Sequence, residues 1–77
     1  MTRSFLPGFE PGTLLKVSER YDGTRVMVVP DPTGYELGTV TSHEVLVSLE
    51  YKHGWNKVAS SSGTTGWVLV SALEKVT

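Results

Sequence analysis

Val45-Leu46-Val47-Ser48-Leu49-Glu50-Tyr51-Lys52-His53-Gly54-Trp55-Asn56-Lys57-Val58-Ala59-Ser60 reads as two strands joined by a tight turn. Residues 45–50 and 55–60 mix β-branched, aliphatic and aromatic side chains with polar ones at short period, the pattern of a half-buried strand. Between them, Tyr51-Lys52-His53-Gly54 ends in glycine, which takes up the left-handed backbone of a hairpin connection without steric cost. A single hairpin is marginal in water, so the rest of the sequence must supply further strands.

It does so on both sides. Downstream, Ser60-Ser61-Ser62-Gly63-Thr64-Thr65-Gly66 is a polar hairpin tip, followed by a strand over 66–70. Ser71-Ala72-Leu73-Glu74 suits one short helical turn with Ser71 as its cap. Upstream, strands are expected over 13–18, 25–29 and 36–40. Asp22-Gly23 makes a turn between the first two, and Pro30 and Pro32 end the second by removing backbone donors. Residues 1–12 carry Pro7-Gly8 and Pro11-Gly12 and read as an irregular N-terminal arm, with the folded domain over 13–77. Five or six short strands at intervals of roughly ten residues, with no helical stripe between them, predict an all-β antiparallel barrel or sandwich. Val26, Val28, Val40, Val45, Val47, Val58 and Val68 are its expected core.

Composition narrows the function classes. The protein has 77 residues, enough for one small core, and no cysteine, so neither disulfides nor thiolate ligands contribute. Seven basic against eight acidic residues give a formal net charge of −1, without the basic stripe of a nucleic-acid or anionic-membrane binder. No apolar run approaches the roughly 20 residues of a membrane span, and the opening residues lack the apolar region of a signal peptide. A cytoplasmic location is thereby slightly favoured over a secreted one.

Catalytic chemistry finds no support. His43 and His53 lie ten apart beside turns, outside any chelating spacing, so no metal is expected. The serines at 60–62 lack a strained elbow with a base nearby. Gly63-Thr64-Thr65-Gly66 precedes a strand and not a helix, so it offers no phosphate cradle and no cofactor is expected. The protein is read as a non-enzyme.

Gly54-Trp55-Asn56-Lys57-Val58, then Gly66-Trp67-Val68 and Leu73, resembles the closing half of bacterial-type SH3 domains. Val26-Met27-Val28-Val29 with Pro32 is similar to that family's Leu-Asn-Val-Arg segment, and Glu36-Leu37-Gly38-Thr39-Val40 to its Val-Ile-Gly-Thr-Leu strand. The resemblance covers about residues 25–74 and implies a small SH3-like barrel acting as a binding module. It departs where the family's polar Asn and Arg become Met27 and Val29. The tyrosine-lined slots with which signalling SH3 domains hold proline-rich peptides have no counterpart in this sequence.

Strand alternation puts Trp55 and Lys57 on the face opposite Val58. Trp55 is then either the floor of a peptide groove, as the matching tryptophan is in SH3 domains, or a rim residue packed on Tyr51 or the arm. Trp67 is expected to pack on the arm that carries Phe5, Leu6 and Phe9. The expected binding face joins Trp55, Tyr51, Tyr35 and Tyr21 with Glu19 and Asp22 nearby. Its expected partner is a protein or peptide, or a neighbouring domain of the same polypeptide; binding to peptidoglycan peptides is the alternative that the resemblance implies.

Overall fold

Glycines and prolines punctuate the sequence often enough that no strand exceeds seven residues. A computed structural model describes residues 9–76. The strands are β1 (Leu14–Val17), β2 (Thr24–Met27), β3 (Glu36–Val40), β4 (Leu46–Lys52), β5 (Trp55–Ser60), β6 (Thr65–Leu69) and β7 (Leu73–Lys75). Two single 3-10 turns, Glu19–Tyr21 and Val70–Ala72, are the only helical elements among the described residues.

All pairings are antiparallel, in one seven-stranded sheet of order β3-β2-β6-β5-β4-β1-β7. Leu15, Val17, Val26, Val40, Leu46, Val58, Val68, Ala72 and Leu73 form one buried cluster, to which all seven strands contribute, with Phe9 packed against it. No second sheet or long helix covers that face among the described residues, so the sheet must bury it by curling round on itself. The result is barrel-like but not closed: β3 and β7 remain edges.

Two connections show local chemistry selecting geometry. His53 (φ 51°) and Gly54 (φ 86°) form a two-residue turn with both residues left-handed, the primed type whose twist matches that of the flanking strands. The Tyr51 hydroxyl accepts a bond from the Gly54 N–H at 2.9 Å and ties the turn back to its own strand. Near the start of the described residues, Glu10-Pro11-Gly12-Thr13 closes a type II turn. The Thr13 N–H donates to the Glu10 carbonyl at 3.1 Å, and Gly12 (φ 90°) takes the position that any larger residue would strain.

The fold departs from the sequence expectations in several places. The strands number seven and not five or six, because residues after the Val70–Ala72 turn extend again and pair with β1. Ser71 lies inside that turn, which has no capping bond from any hydroxyl or carboxylate. Val28, at 46% exposure, lies beyond the end of β2. Val45 is also exposed and Val47 only partly buried, because β4 turns its even-numbered residues inward: Leu46 and Ser48 are fully buried. A serine on the inner face disguised the parity. It is tolerated there because its hydroxyl is hydrogen-bonded on both sides. A bulge between Ser48 and Glu50 then resets the alternation and brings Glu50 opposite Lys57.

Candidate binding surfaces

On the outer face, the register sets Met27 beside Trp67, Trp67 beside Lys57, and Trp55 beside Leu69. Met27, Trp55 and Trp67 form a second buried cluster across β2, β6 and β5. Trp55 therefore does face away from Val58, as alternation requires, yet it is only 8% exposed and Trp67 only 7%. Its neighbours in the cluster are Met27 and Trp67. This cluster has a structural task. β2 joins β6 through one ladder pair, Met27 with Trp67, so side-chain packing must hold the β2–β3 hairpin to the rest of the sheet. Trp55 thus lies nearly buried in the seam between β5, β6 and β2. Phe5 and Leu6, expected partners of Trp67, lie outside the described residues, while Phe9 packs on the inner cluster instead.

The other expected contact residues occupy three stretches of the sequence: the β1–β2 connection, the end of β4 and the β2–β3 connection. Glu19 and Tyr21 share the first 3-10 turn, and Asp22 follows it; all three are exposed. The Asp22 carboxylate accepts the Ser42 N–H at 2.6 Å, and the Gly23 N–H donates to the Val40 carbonyl at 3.0 Å, which docks this turn on the β3–β4 connection. Half-buried Tyr51 belongs to the β4–β5 hairpin with Trp55. Tyr35 lies on the β2–β3 connection and is 84% exposed. No hydrogen bond joins these three groups among the described residues.

The end of β2, the β2–β3 connection and the start of β3 carry exposed apolar side chains, of which sequence reading named Tyr35 as a contact residue and placed Val28 in the core. Val28, Val29, Tyr35 and Leu37 are all exposed, Leu37 at 50%. The backbone beneath them is held. The Val28 N–H donates to the Tyr35 carbonyl at 2.9 Å, the Asp31 N–H to the Val29 carbonyl at 2.8 Å, and the Gly34 N–H to the Asp31 carbonyl at 3.1 Å. Asp31 Oδ1 also accepts both the N–H (2.8 Å) and the hydroxyl (2.7 Å) of Thr33.

Those two bonds, the backbone one foremost, hold the Asp31 carboxyl below its ordinary value of 3.8. They favour the charged form, so their support for the loop is present above the unfolded-state value and is lost as pH falls through the lower folded value. A carboxyl titration followed by nuclear magnetic resonance (NMR) should give Asp31 a midpoint below 3.8, with the Thr33 amide shifting in step. A midpoint at or above that value would show that the loop does not hold its shape in solution.

A third feature is polar and buried. Asn56 and Ser48 are fully buried on adjacent strands of the inner face. Asn56 Oδ1 accepts the Phe9 N–H at 3.0 Å, Asn56 Nδ2 donates to Ser48 Oγ at 2.7 Å, and Ser48 Oγ donates to the Phe9 carbonyl at 3.0 Å. Sequence reading missed this trio, although a usable signal existed: Asn56 shares the inward parity of Val58, where a polar residue needs a partner. No family model, no curated protein and no solved structure matches this protein.

Proposed function

We propose that the protein is a non-catalytic recognition module that binds another protein through the apolar surface of its β2–β3 connection. The observation that carries this reading is the joint exposure of Val28, Val29 and Tyr35 on one hydrogen-bonded connection and of Leu37 at the start of β3. Exposed apolar side chains scattered singly are ordinary, whereas four within ten consecutive residues are the concentration expected where a partner is met. A loop already held in shape loses little conformational freedom on binding, which favours affinity. The near-neutral net charge supports a protein partner over a polyanion. The resemblance of Gly54-Trp55-Asn56-Lys57-Val58 and Gly66-Trp67-Val68 to bacterial-type SH3 domains supports a binding role as well. Trp55 contributes to this role indirectly, by holding the hairpin that carries the surface.

The test uses a photoreactive residue in place of Tyr35 to capture the partner from cells of the source organism. The captured protein is then titrated against wild type and Tyr35→Ala. An exposed tyrosine anchor should be worth about 2 kcal/mol, a roughly 30-fold loss of affinity, with the denaturation midpoint unmoved. A partner that binds Tyr35→Ala as tightly as wild type would overturn the assignment of this surface.

A further inference from the structure

We propose that the outer face of β7, β1, β4 and β5 is the interface through which two copies of this protein associate. The surface is separate from the β2–β3 connection, and the inference does not rest on the function proposed for that connection.

The register draws the surface. Leu14 stands opposite Val47 across β1 and β4, and Val47 stands opposite Ala59 across β4 and β5. On the other side of β1, Leu15 pairs with Lys75, and the Val76 N–H donates to the Leu14 carbonyl at 3.0 Å. Val76 is thereby set beside Leu14. Val76, Leu14, Val47 and Ala59 form an unbroken aliphatic row across four strands, about 14 Å wide at ordinary strand spacing. Their sequence neighbours Leu15, Leu46, Ser48 and Val58 are buried on the inner side, so alternation turns the row outward. Leu14 is 50% exposed, Val76 is exposed, and so is Val45, which shares the outward parity of Val47.

The solvated face of an antiparallel sheet ordinarily carries polar residues. This outer face departs from that pattern in two different ways. Over β2, β6 and β5 it is closed by its own Met27, Trp55 and Trp67, which bury one another. Over β5, β4, β1 and β7 the outward residues are aliphatic and stay in contact with water. Taking that row out of water requires a second apolar surface of the same flat shape, as in two stacked sheets.

The charges around the row select the occupant. At one end of it, Lys16 stands opposite Glu74 and the two form an ion pair at 3.5 Å. At the other end, Glu50 stands opposite Lys57. Each pair sums to zero, so two identical faces approach without net repulsion, while a strongly charged partner finds nothing to attract it. The opposite side of the molecule differs: residues 19–44 hold five acidic residues against two arginines, so a symmetric contact there would set like charges together. A two-fold dimer uses one neutral face per copy and closes on itself. The row falls well short of the roughly 800 Å² per partner of a stable interface, so the dimer is weak, with a dissociation constant on the order of 100 μM.

The test is sedimentation equilibrium on the 77-residue protein, wild type and Leu14→Glu. Between about 10 μM and about 1 mM, wild type should pass from monomer to dimer. Leu14→Glu changes an exposed position and should raise the dissociation constant roughly tenfold or more, with an unchanged circular dichroism spectrum. In mixtures of isotope-labelled and unlabelled wild type, NMR should show contacts between copies among the methyl groups of Leu14, Val45, Val47 and Val76. This readout decides if Leu14→Glu does not fold. A wild-type protein that stays monomeric at about 1 mM would overturn the proposal. So would contacts between copies that run through Val28, Tyr35 or Leu37 instead. Contacts within one copy from residues 1–8 to the row would overturn it as well, since the cover would then be the protein's own N-terminal segment.

Discussion

Replacing Trp55 by alanine should lower the unfolding free energy by about 3–5 kcal/mol, the cost of removing a large aromatic from a packed site. A domain of this size holds only on the order of 5–10 kcal/mol, so the variant should be largely or wholly unfolded under mild denaturant. Trp55 is one of three residues, with Met27 and Trp67, that hold a seam where β2 and β6 share a single ladder pair. The cavity would open at the point where the β2–β3 hairpin is attached, with little backbone bonding to compensate. Urea titrations of wild type, Trp55→Ala and Trp55→Phe provide the check, with the phenylalanine variant expected in between. A midpoint for Trp55→Ala within experimental error of wild type would show that the tryptophan is a surface anchor after all, as the groove reading of the sequence supposes. The contrast with Tyr35→Ala, expected to leave stability within about 0.5 kcal/mol, separates the residue that holds the hairpin from one that the hairpin displays.

Gly66→Ala should cost about 3 kcal/mol, at the upper end of what overpacking a core position does. Gly66 pairs with Val58 on β5 and is buried. A Cβ at this position would lie 2.5 Å from Val26 Cγ1, 2.8 Å from the Met27 carbonyl oxygen and 2.9 Å from Leu37 Cδ1. The Leu37 methyl is the tip of a half-exposed residue and can turn away. The Met27 oxygen is backbone and cannot move without shifting β2 against β6. The glycine here serves close approach rather than an unusual torsion, since its φ is not among the positive values found at other glycines. The alanine variant should melt lower and lose amide protection first at Met27 and Trp67. An unchanged melting temperature would mean that β2 and β6 lie further apart than their register implies.

The all-β antiparallel class was legible in the order of residues because strand period, turn residues and helix breakers are local properties. Residues 36–40 and 55–60 coincide with β3 and β5, and His53-Gly54 is the expected hairpin turn with one more left-handed residue than glycine alone announced. Facing on β4 was not legible, since a buried serine looks polar to any count of alternation. Its partners sit 39 residues upstream at Phe9 and 8 downstream at Asn56. The same limit applies to the candidate sites. Parity alone turned Trp55 away from the inner core, but only the packing of three non-consecutive strands decided whether water or Met27 and Trp67 would meet it there. Exposure of Val28 and burial of Asn56 likewise depend on where a strand stops and on which distant residue, here Phe9, reaches the inner face. Local sequence determined which segments extend and where they turn. Tertiary structure decided which faces are covered, because burial is a property of pairs of surfaces and one of each pair lies far away in sequence.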